Sequence, residues 1–218
     1  MQHFYEYLFS PHVFWKLIWY CIVAVVGSVS LGYWYIYALY GKNITRVGSG
    51  NSGATNAYRI AGISGFIAVF ALDVVRAYAL LFLYMHYMQP QSSIEVFVCV
   101  IILLLSNTKL LIRYLFSGFY SGKGVSTSVG VLLFFHPELL LAAFVTWVAI
   151  LVLSGHRVGI ASAVAVASLP LWAHCLPSSN YTISEGAVVL GVSVIIMCIV
   201  LASHAENIRV FLSKKMGA

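Results

Sequence analysis

Residues 48–59 read Gly-Ser-Gly-Asn-Ser-Gly-Ala-Thr-Asn-Ala-Tyr-Arg, a polar run spaced by glycines in an otherwise apolar chain. The chemistry this pattern suits is anion binding. Gly48, Gly50 and Gly53 let the backbone take positive φ and approach a ligand, so that successive N–H groups converge on a phosphate. Ser49, Asn51, Thr55 and Asn56 add short polar groups, and Arg59 adds a planar fork suited to phosphate or carboxylate. The run also satisfies G-x-G-x-x-G, with Asp73 at the distance where a dinucleotide site places its ribose acid. That fingerprint requires a buried strand before it and an amphipathic helix after it. Here both flanks are apolar segments of membrane length, so the dinucleotide reading fails while the anion-binding physics survives.

Two further polar runs carry candidate chemistry. Lys123 stands between Gly122 and Gly124 in Ser-Gly-Lys-Gly-Val-Ser-Thr, residues 121–127. It is no P-loop lysine, because Gly124 occupies the required Ser/Thr position, but it is a cation beside backbone amides where a helix begins. The third run is Ser-His-Ala-Glu-Asn-Ile-Arg, residues 203–209, with His204, Glu206 and Asn207 directly after an apolar stretch. Taken singly, a snorkelling lysine or a polar helix end accounts for each of these.

The elements that must position these runs are membrane helices. The chain is 61% hydrophobic and 8% charged, and a water-facing surface needs far more charge. A span needs about 20 mostly apolar residues. Apolar stretches at 14–39, 60–88, 94–105, 125–135, 139–153, 158–175 and 187–202 predict an all-α integral membrane protein of seven transmembrane helices, a single polytopic domain over residues 1–218. The 125–135 stretch is the short one, a partial helix or one that borrows from its loop. The N-terminal stretch shows no cleavage site and reads as a retained helix.

The formal charge of +6 is explained by topology and not by nucleic acid, since the basic residues form no stripe with aromatics. Lys42, Arg46, Arg59, Lys109, Arg113, Lys123, Arg157, Arg209, Lys214 and Lys215 fall on one side, with Lys16 opposite and Arg76 inside a span. The N-terminus is thus expected outside and the C-terminus in the cytoplasm, with all three polar runs on the cytoplasmic face. Asp73 and Arg76, three residues apart, share a helix face and can neutralise each other. Cys21, Cys99, Cys175 and Cys198 form no pair or cluster at metal spacing and read as small core hydrophobes.

The three runs, in this order and spacing, resemble the PlsY family of bacterial acyl-phosphate-dependent glycerol-3-phosphate acyltransferases. The resemblance covers most of the chain. The family's GSGN-x-GATN-x-x-R is matched at every fixed position by residues 48–59. Its GGKGVAT is matched except for Ser121 and Ser126, and its HRENI except for Ala205. A Gly-His pair that commonly precedes the second motif is replaced by Ser106-Asn107, and Asp-x-x-Lys by Asp73-x-x-Arg76.

The resemblance implies transfer of a fatty acyl group from acyl phosphate to the sn-1 hydroxyl of glycerol 3-phosphate. The products are lysophosphatidic acid and phosphate, in the first step of phospholipid synthesis at the bacterial inner membrane. By resemblance, Arg59 and Lys123 hold phosphate charge, and the backbone from Gly48 through Gly50, Asn51, Gly53, Ala54 and Asn56 cradles phosphate with Gly122 and Gly124. Ser49 and Asn207 orient the glycerol unit, and Thr55 and Ser162 line the pocket. A substrate phosphate takes the hydroxyl proton, with His204, supported by Glu206, as the second candidate base. No cofactor and no metal is implied. The implied partners are the two substrates, the bilayer and an enzyme that makes acyl phosphate. Two readings from other classes stay open on the residues alone: a small transporter of an anionic metabolite, and a scaffold descended from an acyltransferase.

Overall fold

The computed structural model describes residues 11–108, 122–176 and 183–216, with side chains of the last segment described over 186–205. Within these residues the architecture is helical: α1 (Pro11–Ser28), α2 (Leu31–Tyr40), α3 (Ala54–Leu83), α4 (Ser93–Ser106), α5 (Val125–Phe135), α6 (Pro137–Leu153), α7 (Val158–Ala167), α8 (Leu169–Cys175) and α9 (Ile183–Met216). A 3₁₀ turn, Ile44–Arg46, and a π turn, Tyr84–Met88, complete it. The expected apolar stretches all fold as helix.

Their continuity differs from the expectation. The first stretch is two helices, broken at Val29, where Ser30 caps α2 by accepting from the Tyr33 amide at 3.1 Å. The sixth is α7 and α8, bent by 41° at Ser168. The second, α3, starts at Ala54 and is kinked at Gly62, φ +65 and ψ −152, so a short helical segment precedes the expected span and Thr55, Asn56 and Arg59 lie in its turns and not in a loop. By length and composition, Pro11–Tyr40, Ala54–Met88 and Gly186–Ala205 can each cross a membrane, and the bent pair makes a fourth if it is one span. Ser93–Ser106, Val125–Phe135 and Pro137–Leu153 are shorter apolar helices.

Glycines set the closest approaches. A Cβ on Gly130 would stand 2.5 Å from the Val74 carbonyl oxygen and 2.7 Å from the Ala77 Cβ, so α5 lies backbone to backbone on α3. One core cluster joins α1, α3, α4, α5 and α9 through Val23, Leu81, Tyr84, Leu103, Val131 and Ile196. A smaller one, Ile36, Ile44, Ala57 and Val69, sits beneath the glycine-rich loop and anchors it to α2 and α3.

The expected intramembrane ion pair is present: an Arg76 Nη2 donates to the Asp73 carboxylate at 2.9 Å, and both residues are buried. Arg76 does a second job that the sequence did not show. Its Nη1 donates to the Val29 carbonyl, an acceptor at the break between α1 and α2. Near the other end of α1, Lys16 pairs with Glu95 at the start of α4 at 2.6 Å, and Tyr20 and Tyr84 share a 2.9 Å hydrogen bond, Tyr84 opening the π turn after α3. Apolar side chains such as Trp34, Ile63, Val75 and Leu141 are exposed on the outer surface, as lipid-facing residues are.

Candidate active site

The glycine-rich loop is held by one buried side chain. Asn56 Nδ2 donates to the carbonyls of Ile44, Val47 and Asn51 at 2.9, 2.8 and 2.8 Å. Its Oδ1 accepts from the Ser49 amide at 3.2 Å and from Arg59 Nη1 at 2.9 Å. Asn56 is therefore the knot that fixes the loop and aims Arg59, a task of its side chain that the sequence reading did not assign. Gly48 has φ +57, and a Cβ there would lie 2.5 Å from Asn56 Oδ1 and 2.7 Å from Arg59 Nη1. Only glycine fits between the knot and the arginine.

The second motif is pinned as firmly. The backbone of Thr108 bridges to Gly122 and Lys123, and Asn107 Nδ2 donates to the Thr127 hydroxyl. Gly124, at φ +81, turns the chain into α5, and Ser128 Oγ returns a 2.8 Å bond to the Gly124 carbonyl. On α9, His204 is 2% exposed and its Nδ1 lies 2.9 Å from the Val200 carbonyl. A carbonyl only accepts, so in the neutral ring Nδ1 carries the proton and Nε2 is left as an acceptor.

These parts meet around one cavity of about 690 Å³. Ser49, Asn51, Gly53, Ala54, Thr55, Asn56 and Arg59 line it from the first motif, Gly122, Lys123 and Gly124 from the second, and Ser162 and His204 from α7 and α9. Gly48 and Gly50 do not line it; they shape the loop behind it. Glu206 and Asn207 follow on α9, but their side chains lie outside the described residues, as does Ser121. Asp73 also reaches the cavity wall, and Ser162 accepts from Trp147 Nε1 at 3.1 Å.

The electrostatic logic of the polar end comes from helix starts. The N-cap residues of α3, α5 and α7 are Gly53, Gly124 and Arg157; none makes a side-chain cap, and all three line the cavity. Of the other described helix starts, α2 and α4 are capped by Ser30 and Ser92 while α6 and α8 are not, so what marks the three starts is their place on the cavity wall. The N-termini and positive dipole ends of three helices thus face one space together with Arg59 and Lys123. The α7 start escaped the sequence reading, which took Arg157 as a topology charge only. The available signal was the Ser-Gly-His-Arg link, where Gly155 and His156 both adopt left-handed φ, +66 and +62.

Most of the remaining wall is apolar, with Phe66, Phe70, Leu132, Leu140, Phe144 and Val166 among its members, beside polar groups from Asn107, Ser126, Ser128 and His156. Such a space accepts an amphiphile with an anionic head and a hydrocarbon tail. Among the described residues no group of three or more His, Cys, Asp and Glu side chains is arranged to hold a metal ion.

Comparison with known proteins agrees with this geometry. A family model described as glycerol-3-phosphate acyltransferase matches residues 17–214. The chain is 31% identical to "Glycerol-3-phosphate acyltransferase 2" of Bacillus anthracis over 85% of this chain and 89% of that one. It is 29% identical to the glycerol-3-phosphate acyltransferase of Streptococcus sanguinis, over 88% and 86%. Its fold is similar to the crystal structure of PlsY, an integral membrane glycerol 3-phosphate acyltransferase, in the glycerol 3-phosphate form, with a TM-score of 0.72 and 29% identity over 91% and 92% of the two chains. A match through nearly the whole length, on a chain whose three polar motifs meet at one amphiphilic cavity, places this protein in the glycerol-3-phosphate acyltransferase family.

Proposed function

We propose that this protein transfers a fatty acyl group from acyl phosphate to the sn-1 hydroxyl of glycerol 3-phosphate, releasing lysophosphatidic acid and inorganic phosphate. The observation that carries the reading is the convergence of three uncapped helix starts with Arg59 and Lys123 at one end of a cavity that is otherwise apolar. Both substrates bring phosphate, and one brings a hydrocarbon chain.

In the reaction the glycerol hydroxyl oxygen attacks the acyl carbonyl carbon. The new C–O ester bond forms as the C–O bond to phosphate breaks, and the hydroxyl proton passes to a phosphate oxygen. Acyl phosphate is already activated, so no acyl-enzyme is needed. The protein's part is to hold two dianions close together against their repulsion and to orient the hydroxyl. Arg59 and Lys123 carry phosphate charge, the N–H groups of Ala54 and Thr55 and those at the start of α5 cradle it, and Ser49 and Asn207 hold the glycerol unit. His204 Nε2, left as an acceptor by the Nδ1 bond to Val200, is the second candidate acceptor of the hydroxyl proton in place of the phosphate oxygen.

The same reading includes seven membrane crossings, an external N-terminus, a cytoplasmic C-terminus and a site open to the cytoplasm of a bacterial inner membrane. Acyl phosphate is then delivered by a separate enzyme that makes it. The test is to give the purified protein labelled glycerol 3-phosphate with acyl phosphate, acyl-CoA or acyl carrier protein as donor. Lysophosphatidic acid from acyl phosphate alone is the expected result. Product only from a thioester donor would overturn the donor assignment, and uptake of glycerol 3-phosphate into vesicles without acylation would replace the enzyme reading by transport.

A further inference from the structure

Along α5 and the α7–α8 span the cavity lining starts at the polar helix N-termini and ends at leucines, and that limit is taken as its floor. Leu132 on α5, Leu140 on α6 and Leu169 at the start of α8 all line it, and Leu132 and Leu169 are 3% and 1% exposed. Leu169 reaches this position because the span bends: α7 stops at Ala167, α8 resumes at 41°, and a proline in the first turn of α8 removes the backbone donor that a straight helix would use there. The opposite limit of the lining on this span is Arg157, the N-cap of α7, and this polar limit is taken as the mouth. The twelve residues from there to Leu169 span about 18 Å at helical rise. Between mouth and floor, the Trp147 indole is fixed by its 3.1 Å bond to Ser162 and forms a rigid wall.

We propose that Leu169, backed by Leu132 and Leu140, is the stop that sets the length of the acyl chain. This rests on the acyl-transfer reading above. The chain enters with its carbonyl at the polar end, passes the face of Trp147 and ends against Leu169. A longer chain must displace leucines already packed at interior density, and a shorter one leaves part of the cavity unfilled. Leu169 is thus a specificity-determining residue for the donor, remote from the groups that hold phosphate.

The experiment uses the full chain in phospholipid vesicles with labelled glycerol 3-phosphate and two donor series, acyl phosphates and acyl-CoAs, each graded in chain length. Leu169→Ala is expected to move the optimum of kcat/KM toward longer chains, by about tenfold for the donor one methylene step past the wild-type optimum. Leu169→Phe moves it toward shorter chains, and Leu140→Phe, on a different helix, moves it the same way. The KM for glycerol 3-phosphate stays put in all three, and Leu171→Ala, at a position 64% exposed, leaves the profile unchanged. Shifts in opposite directions cannot come from misfolding. Active variants that keep the wild-type length profile would overturn the stop alone. A wild-type protein that makes no product from either series would overturn the acyltransferase reading and the stop with it.

Discussion

Arg59 depends on Asn56 as much as on its own charge, because one arm of its guanidinium donates to an amide oxygen that also binds the Ser49 backbone. Arg59→Ala and Lys123→Ala should each lower kcat/KM by about 10²–10³, the usual loss when a group stabilising developing charge is removed. Arg59→Lys should recover little, since an ammonium cannot both bond Asn56 in the plane and present a second arm to phosphate. Asn56→Ala strands the carbonyls of Ile44, Val47 and Asn51. It should cost about 1–3 kcal/mol of stability, read by thermal unfolding in detergent, and take activity down with it. At this scale the sequence was generous: glycine spacing, Arg59, Lys123 and His204 named the cavity before any coordinates. What it concealed was the division of labour. Asn56, Thr55 and Ser49 are all short polar residues in one run that line the cavity, and only the fold shows that Asn56 is the knot. Arg157 was hidden for the opposite reason, because a basic residue between two apolar helices already has a sufficient explanation in topology.

Helices were legible as apolar runs, while their breaks were not. Hydropathy is the same on both sides of Val29 and of Ser168, so a run of membrane length conceals a bend unless polar groups inside it are noticed. Ser30 was such a group, and Arg76 was its counterpart on the neighbouring helix: the guanidinium serves Asp73 and the Val29 carbonyl together. The eleven-residue α5 is the clearest lesson. It is too short to cross a membrane by itself, yet it is the element most intimately packed on α3, because Gly130 lets two backbones touch. Gly130→Leu should therefore destabilise the fold by about 1–3 kcal/mol or more through overpacking, with a lowered melting temperature. Gly53→Ala is the matched comparison, since a Cβ there meets nothing within 4 Å. It should leave the melting temperature nearly unchanged.

For the molecule as a whole, the distribution of lysine and arginine argues orientation, and labelling can test it. In a background with the four native cysteines replaced, Lys42→Cys is expected to react with a membrane-impermeant maleimide only after the cytoplasmic side is opened, and Gln91→Cys from outside in intact cells. The reverse pattern would invert the topology and with it the face on which the cavity opens. The number of crossings is harder to read than their direction. Composition counts residues, whereas crossing depends on how bent and short helices share the thickness of a bilayer with their neighbours.

One feature of the cavity wall reaches beyond structure. Phe144 lines the cavity and is also 55% exposed, so at this point one side chain separates the cavity from the outer, lipid-facing surface. A membrane-borne donor that enters past such a thin wall is sensed by its mole fraction among the surrounding lipids and not by its molarity in solution. Diluting the membrane with inert phospholipid then slows the reaction by lowering that mole fraction. Through it, the rate of acyl transfer becomes a gauge of how crowded the bilayer is with its own precursors.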